Sequence, residues 1–288
     1  MSAANVTANV TANVAVNVTG PRGTAGPAVD RHRVTQGRVL RSEWIKLWSL
    51  RSTVYTLVAA VVTTIGAGIL LCAFLAGQAA LPGSPHEALF DPAGASLRGV
   101  SLAQLAVGVL GVLLVTAEYS TGMIRATLSA VPRRLPVLWA KAGVFGVVAA
   151  VLMIAASAAA FLFGQAVLGE RGTTLAADGV ARAVAGAGLY LTVVGLLGVG
   201  LGFILRNTAG AVATLFGLLL VLPTLGEVLP AGWARHVVPY LPSNAGQVIM
   251  SVHPAPGDLA PWTGFAVFCG YAAATIAVAA VLLKRRDA

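Results

Sequence analysis

Between two long apolar runs lies the polar stretch EYSTGMIRATLSAVPRRLPVLWAK, Glu118 to Lys141, which carries Arg125, Arg133, Arg134 and Lys141 against one acid, Glu118. The chemistry open to these residue types at this spacing is docking rather than bond making. Thr121 to Ala130 has no Pro and one Gly near its start, so one to three helical turns are expected before Pro132 and Pro136 stop them. On such a helix Met123, Ile124, Thr127 and Leu128 fall at i, i+1, i+4 and i+5, a small apolar edge suited to a partner's groove. Arg125 lies off that edge, where an acidic groove wall can pair with it, and Glu118 fixes the base of the loop. The competing expectation is an ordinary positively charged loop whose apolar edge rests on lipid.

Other chemistries are excluded by what the chain lacks. A phosphate-binding loop needs Gly before its Lys so that the backbone can wrap phosphates. The three lysines, Lys46, Lys141 and Lys284, follow Ile45, Ala140 and Leu283 instead. Proton or ion coupling calls for ionisable groups within the apolar runs. The runs read as free of them: Glu118 and Glu227 fall at run ends, and His32, His86, His236 and His253 lie outside. HExxH, GxSxG and clustered metal ligands are all missing, so no catalytic or metal-binding residue is expected. Cys72 and Cys269 sit within apolar runs and read as buried thiols.

The elements that position the basic stretch are membrane helices. The 288 residues are 57% hydrophobic and only 10% charged, with six runs near the roughly 20 residues a bilayer crossing needs. The expected fold is therefore all-α and polytopic, with spans at about 54–76, 99–117, 142–168, 182–205, 209–225 and 262–283. Gly195, Gly198, Gly200 and Gly202 in the fourth span permit close helix packing. Arg182 is expected to snorkel outward at that span's start, and Arg206 and Asn207 to form a tight turn after it. Ahead of the first span, Leu40, Trp44, Leu47 and Trp48 fall on one helical face, with Arg38, Ser42, Lys46 and Ser49 on much of the other. That pattern predicts an interfacial amphipathic elbow, with Arg41, Lys46 and Arg51 reaching lipid phosphates. Residues 1–36, with Asn at 5, 9, 13 and 17, read as a disordered low-complexity leader, leaving 37–288 as one membrane domain. With the 118–141 loop inside, 15 of 19 Lys/Arg and 4 of 10 Asp/Glu fall inside, so the net charge of +9 divides into +11 inside and −2 outside. Both termini are then cytoplasmic. The basicity is matched to anionic lipid and not to nucleic acid.

An elbow reading RSEWIKLWSLRST, then six spans and the loop EYSTGMIRATLSAVPRRLPVLWAK, resembles the permease subunits of type-2 ATP-binding cassette exporters, particularly those of high-GC Gram-positive bacteria. The resemblance covers about Arg38 to Arg286. It implies a plasma-membrane permease that binds no ATP itself and no cofactor directly. Its implied partners are a separate cytoplasmic ATPase subunit and a second permease, identical or related. Carried over by position, Glu118 and Gly122 would open a coupling helix, Thr121 to Leu128 would form its contact face, and Lys141 would close the loop. Pro239 to Gln247, PYLPSNAGQ, is similar to the region where such permeases place short re-entrant helices. The leader departs from the pattern. Substrate-binding residues are not readable from near-uniform Ala, Val, Leu and Gly runs. The alternative class is a membrane scaffold or immunity-type protein, and the missing catalytic residues disfavour a lipid-modifying enzyme.

Overall fold

The computed structural model describes residues 35–49, 51–79, 91–124, 127 and 135–285. The expected disordered leader, apart from Thr35 and Gln36, lies outside them. A leading helix, Gln36–Ser49, precedes a first span over Arg51–Ala79. The second span, Val100–Ser120, follows a short helix, Pro92–Leu97; the third covers Leu135–Leu168 and the fourth Val180–Leu205. The fifth, Thr208–Glu227, contains one π-helical turn, and the sixth is Pro261–Arg285. These six helices are long and apolar enough to cross a membrane, and the described residues contain no strand. The chain is a multi-pass membrane protein whose regular structure, among the described residues, is all helical.

Three boundaries differ from the sequence reading, each for a local reason. The third span begins at Leu135, not near Ala142, because Pro136 sits in the helix's first turn, where its missing N–H costs nothing. Pro92–Leu97 was expected to be loop. Asp91 accepts the Gly94 N–H at 3.0 Å and Pro92 opens the helix, whose Ala93, Ala95, Ser96 and Leu97 are buried. In the fifth span the π turn Gly217–Val221 lies just before Pro223, which cannot donate to a carbonyl one turn back and so shifts the local ladder.

The fourth span is the centre of the bundle. Within its most apolar stretch 78% of residues are buried, against 22–56% in the other five. Lipid supplies no hydrophobic force between helices, so their association depends on close contact. Glycine permits it here: a Cβ on Gly111 of the second span would strike the Gly195 backbone, one on Gly198 the Gly108 carbonyl, and one on Gly200 the Thr275 side chain of the sixth span. The glycines noted in the sequence therefore face several neighbours at once.

At the opposite end from Glu118, the segment before the sixth span folds into short helices, Ala231–Val237 and Pro242–Gln247, followed by a 3-10 turn, Val248–Met250. Arg182 does not snorkel. Its guanidinium donates to the Ile249 and Ser251 carbonyls, both at 3.0 Å, tying that turn to the fourth span. Deeper, Gln247 donates to the Tyr190 hydroxyl at 3.3 Å, and the hydroxyl donates to Gln104. Ser243, Ala245 and Gly246 are buried, so the PSNAGQ helix packs into the bundle.

Gly111→Ala should lower the thermal midpoint of the detergent-solubilised protein, overpacking typically costing about 1–3 kcal/mol. Gly143→Ala, whose Cβ would meet nothing within 4 Å, should leave it unchanged or raised. Equal midpoints for the two variants would contradict the central packing described here.

Candidate functional site

Four charged side chains from three segments meet at the Glu118 end of the bundle. The leading helix supplies Glu43 and Lys46, the second span Glu118 and the third span Lys141. Lys141 Nζ donates to Glu43 Oε2 at 2.7 Å and to Glu118 Oε1 at 2.9 Å. Lys46 Nζ donates to Glu43 Oε1 at 2.9 Å and to Glu118 Oε1 at 3.1 Å. The result is a closed ring of alternating charge with no net charge, and most of it is buried: Lys141 is 2% exposed and Glu43 3%, while Lys46, at 28%, reaches the edge. Isolated ions could not be held there, because desolvation costs several kcal/mol per ion and must be offset by close pairing, here through one oxygen of Glu118 and both of Glu43.

Local sequence explains the geometry. Val39, Glu43 and Leu47 recur every fourth residue and form the buried stripe of the leading helix. Trp44 and Trp48, their rings 5.9 Å apart and tilted by 58°, turn away and remain about half exposed. The expected single apolar face is thus split between a stripe that packs on protein and a tryptophan stripe that does not. Gln36 adds a tie to the third span, donating to the Pro136 carbonyl at 3.3 Å. Lys46 was expected to reach lipid phosphate; instead it pairs with Glu43 and Glu118. Lys141, expected at the end of a loop, is the seventh residue of a membrane helix, so the reading that the six spans hold no buried ionisable group is corrected.

Glu43 is the residue the sequence reading passed over. Its signal was an acid flanked four residues away on either side by Val39 and Leu47, on the helical face that otherwise buries apolar groups. In a buried apolar stripe such a placement demands a cation, and two of the chain's three lysines supply it.

The residues carried over as a contact face are dispersed. Glu118 belongs to the ring. Thr121 donates its hydroxyl to the Ala117 carbonyl at 2.8 Å and ends the second span. Gly122 has φ 71°, a left-handed conformation that favours glycine and turns the chain. Met123 is 49% exposed, but Ile124 is 3% exposed and sits in the protein's own core. They do not share a free edge. Thr127 is half buried, donating to the Met123 carbonyl at 3.2 Å and accepting weakly from Lys46 at 3.5 Å. Met123, Ile124 and Thr127 are helical; Arg125, Leu128 and 129–134 lie outside the described residues. The tight turn expected at Arg206 and Asn207 lies at this same end: Arg206 stands over the Tyr119 ring at 5.2 Å, and Asn207 caps the fifth span through Gly210 N–H at 2.8 Å. The chain matches no protein-family model and no curated protein.

Lys141→Met should destabilise the protein by about 3–5 kcal/mol, because it leaves two buried carboxylates sharing Lys46. Glu43→Leu combined with Lys141→Met removes a neutral pair and should recover much of the loss; thermal unfolding of the two single variants and the double variant measures the coupling. Strictly additive losses would mean the ring does not act as a unit.

Lys46 titrates above its ordinary 10.5. Burial, the largest influence, pulls it down, but hydrogen bonding and charge from Glu43 and then Glu118 together outweigh it. A group whose folded value is raised stabilises fully below its unfolded value and loses that contribution as pH rises through the folded one. The midpoint difference between wild type and Lys46→Met should therefore be constant near neutrality and shrink as pH climbs beyond 10.5.

Proposed function

We propose that the chain is the membrane subunit of an ATP-driven exporter of the type-2 ATP-binding cassette class. It works as a homodimer or beside a related permease, and ATP is bound and hydrolysed on a separate cytoplasmic subunit. The observation that carries this reading is the buried ring at the base of the 118–141 loop. Glu118, in the last turn of the second span, and Lys141, in the second turn of the third, flank the loop and are bonded to each other and to the leading helix. A loop clamped in this way can hand the position of a docked partner to two membrane helices together. The resemblance in order and spacing, from the amphipathic leading helix through six spans, supports the same class.

The Lys/Arg asymmetry of +11 against −2 supports a plasma-membrane orientation with both termini and this loop in the cytoplasm. The exposed Trp44 and Trp48 suit a leading helix that lies at the lipid–water boundary. Partner contact is assigned to the exposed Thr121 and Met123 and the loop beyond them, with Ile124 holding the loop to the bundle.

Met123→Asp should abolish co-purification of the proposed ATPase partner, and transport-linked ATP turnover, with expression and membrane insertion unchanged. Ile124→Asp should instead lower stability, as an unpaired charge placed in a core does. Normal ATPase association in Met123→Asp would remove this loop as the coupling element, and an external C-terminal reporter would overturn the orientation.

A further inference from the structure

At the end of the bundle opposite the charged ring, Ala231–Val237 forms a short helix that the rest of the chain hardly covers. Trp233 is 70% exposed, and Arg235, His236 and Val237 are exposed as well. Neighbouring contacts fix its depth. The sixth span runs from Trp262, itself exposed, to Lys284, about 33 Å at 1.5 Å per residue, against a hydrocarbon layer of roughly 30 Å. Tyr271 lies further in than Trp262 by about 14 Å along that helix. Its hydroxyl, carried back toward the helix start as long helical side chains are, donates to the Tyr240 carbonyl at 3.0 Å. The fifth span ends at a similar level, since a Cβ on Gly226 would touch the Val238 and Leu241 side chains. The helix between Gly226 and Val238 is therefore held within about 10 Å of the plane of Trp262, where acyl chains meet headgroups.

The residue types around the helix fit that boundary. Trp233 and Val237, at i and i+4, share one face, and Arg235 falls roughly 200° away from Trp233 on the other. The apolar face continues the exposed end of the fifth span through Leu222, Leu225 and Val228. Arg235 forms no ion pair among the described residues, although Glu227 is exposed a few residues before it. Water on all sides would leave Trp233 and Val228 uncovered, and acyl chains on all sides would strand Arg235. A second copy packed symmetrically on this helix would set the unpaired arginine near its own image. The phospholipid boundary suits both faces at once, with phosphate oxygens as counter-charge to Arg235.

We propose that Ala231–Val237 is a lipid-binding helix seated in the headgroup layer of the leaflet opposite the ring, with Trp233 and Val237 among the upper acyl carbons and Arg235 on lipid phosphates. The inference requires only that the six helices cross a membrane. It stands whether or not the chain moves a cargo.

The test uses the full chain reconstituted in phosphatidylcholine vesicles that carry bromine either high or low on the acyl chains. Subtracting the tryptophan fluorescence of Trp233→Phe, a change at an exposed position, from that of the wild type isolates the Trp233 signal. That signal should be quenched by both lipids, and more strongly by the high bromines. Arg235→Glu should weaken the quenching in phosphatidylglycerol vesicles, where the new carboxylate and the headgroups repel, and much less in phosphatidylcholine. Trp233 left unquenched by both brominated lipids, as a second copy or a water-filled space against it would leave it, overturns the proposal. So does stronger quenching by the low bromines, and an Arg235→Glu variant that matches the wild type in phosphatidylglycerol removes the phosphate contact from it.

Discussion

Two carboxylates and two ammonium groups, buried together, bind three segments of this chain into one arrangement. Each ion alone would cost several kcal/mol to remove from water, and each is tolerated only because the others are present. Glu43, Glu118 and Lys141 are far apart in sequence, yet none can occupy its position without its partners. The leading helix is thereby part of the bundle and no mere extension of the first span. Its Trp44 and Trp48 are left outward only because Val39, Glu43 and Leu47 are held inward.

Away from the ring a different constraint applies. The remainder of the bundle is held by close approach around the fourth span, where Gly195, Gly198 and Gly200 each bring a neighbour near enough that a Cβ would collide. Small residues are effective here because lipid tails compete with side chains for apolar contact, and only tight backbone approach gains dispersion that lipid cannot match. The few polar bonds in this region, such as Tyr190 with Gln104 and Gln247, fasten the outer short helices to that same central span. Charge pairing orders one end of the molecule and packing orders the middle.

The six spans were legible because membrane length and apolar composition are strong, local signals. Their starts were less so. Pro136 read as a stop, yet within a first turn it is accommodated, and this moved Lys141 from a loop into a helix. Asp91 and Pro92 read as loop although together they form a cap and helix start. The ring was missed because it depends on contacts between residues 23 to 98 positions apart, which no periodicity records; only the mismatch of Glu43 among Val39 and Leu47 hinted at it. Ile124 shows the same limit. Helical spacing placed it beside Met123 on one edge, but the bundle next to it, invisible in a local pattern, covers one and leaves the other open.

The ring also changes what the 118–141 loop can do mechanically. An unclamped loop of this length would dissipate a push on its tip in its own bending. Here the ends are joined by a 2.9 Å ion pair, and Lys141 is bonded in turn to Glu43 of the leading helix. Breaking that connection would expose unpaired charge to an apolar surround, so displacement of the base as a unit is the cheaper response. On the proposed reading, motion of a docked subunit would therefore reach the second and third spans and the leading helix together. On the same reading, the boundary between Ile124, buried, and Met123, open, would separate the clamped base from the partner-facing surface. On the proposed reading, neutral pairing within the ring lets work performed on a separate subunit reach these helices without placing a net charge among them.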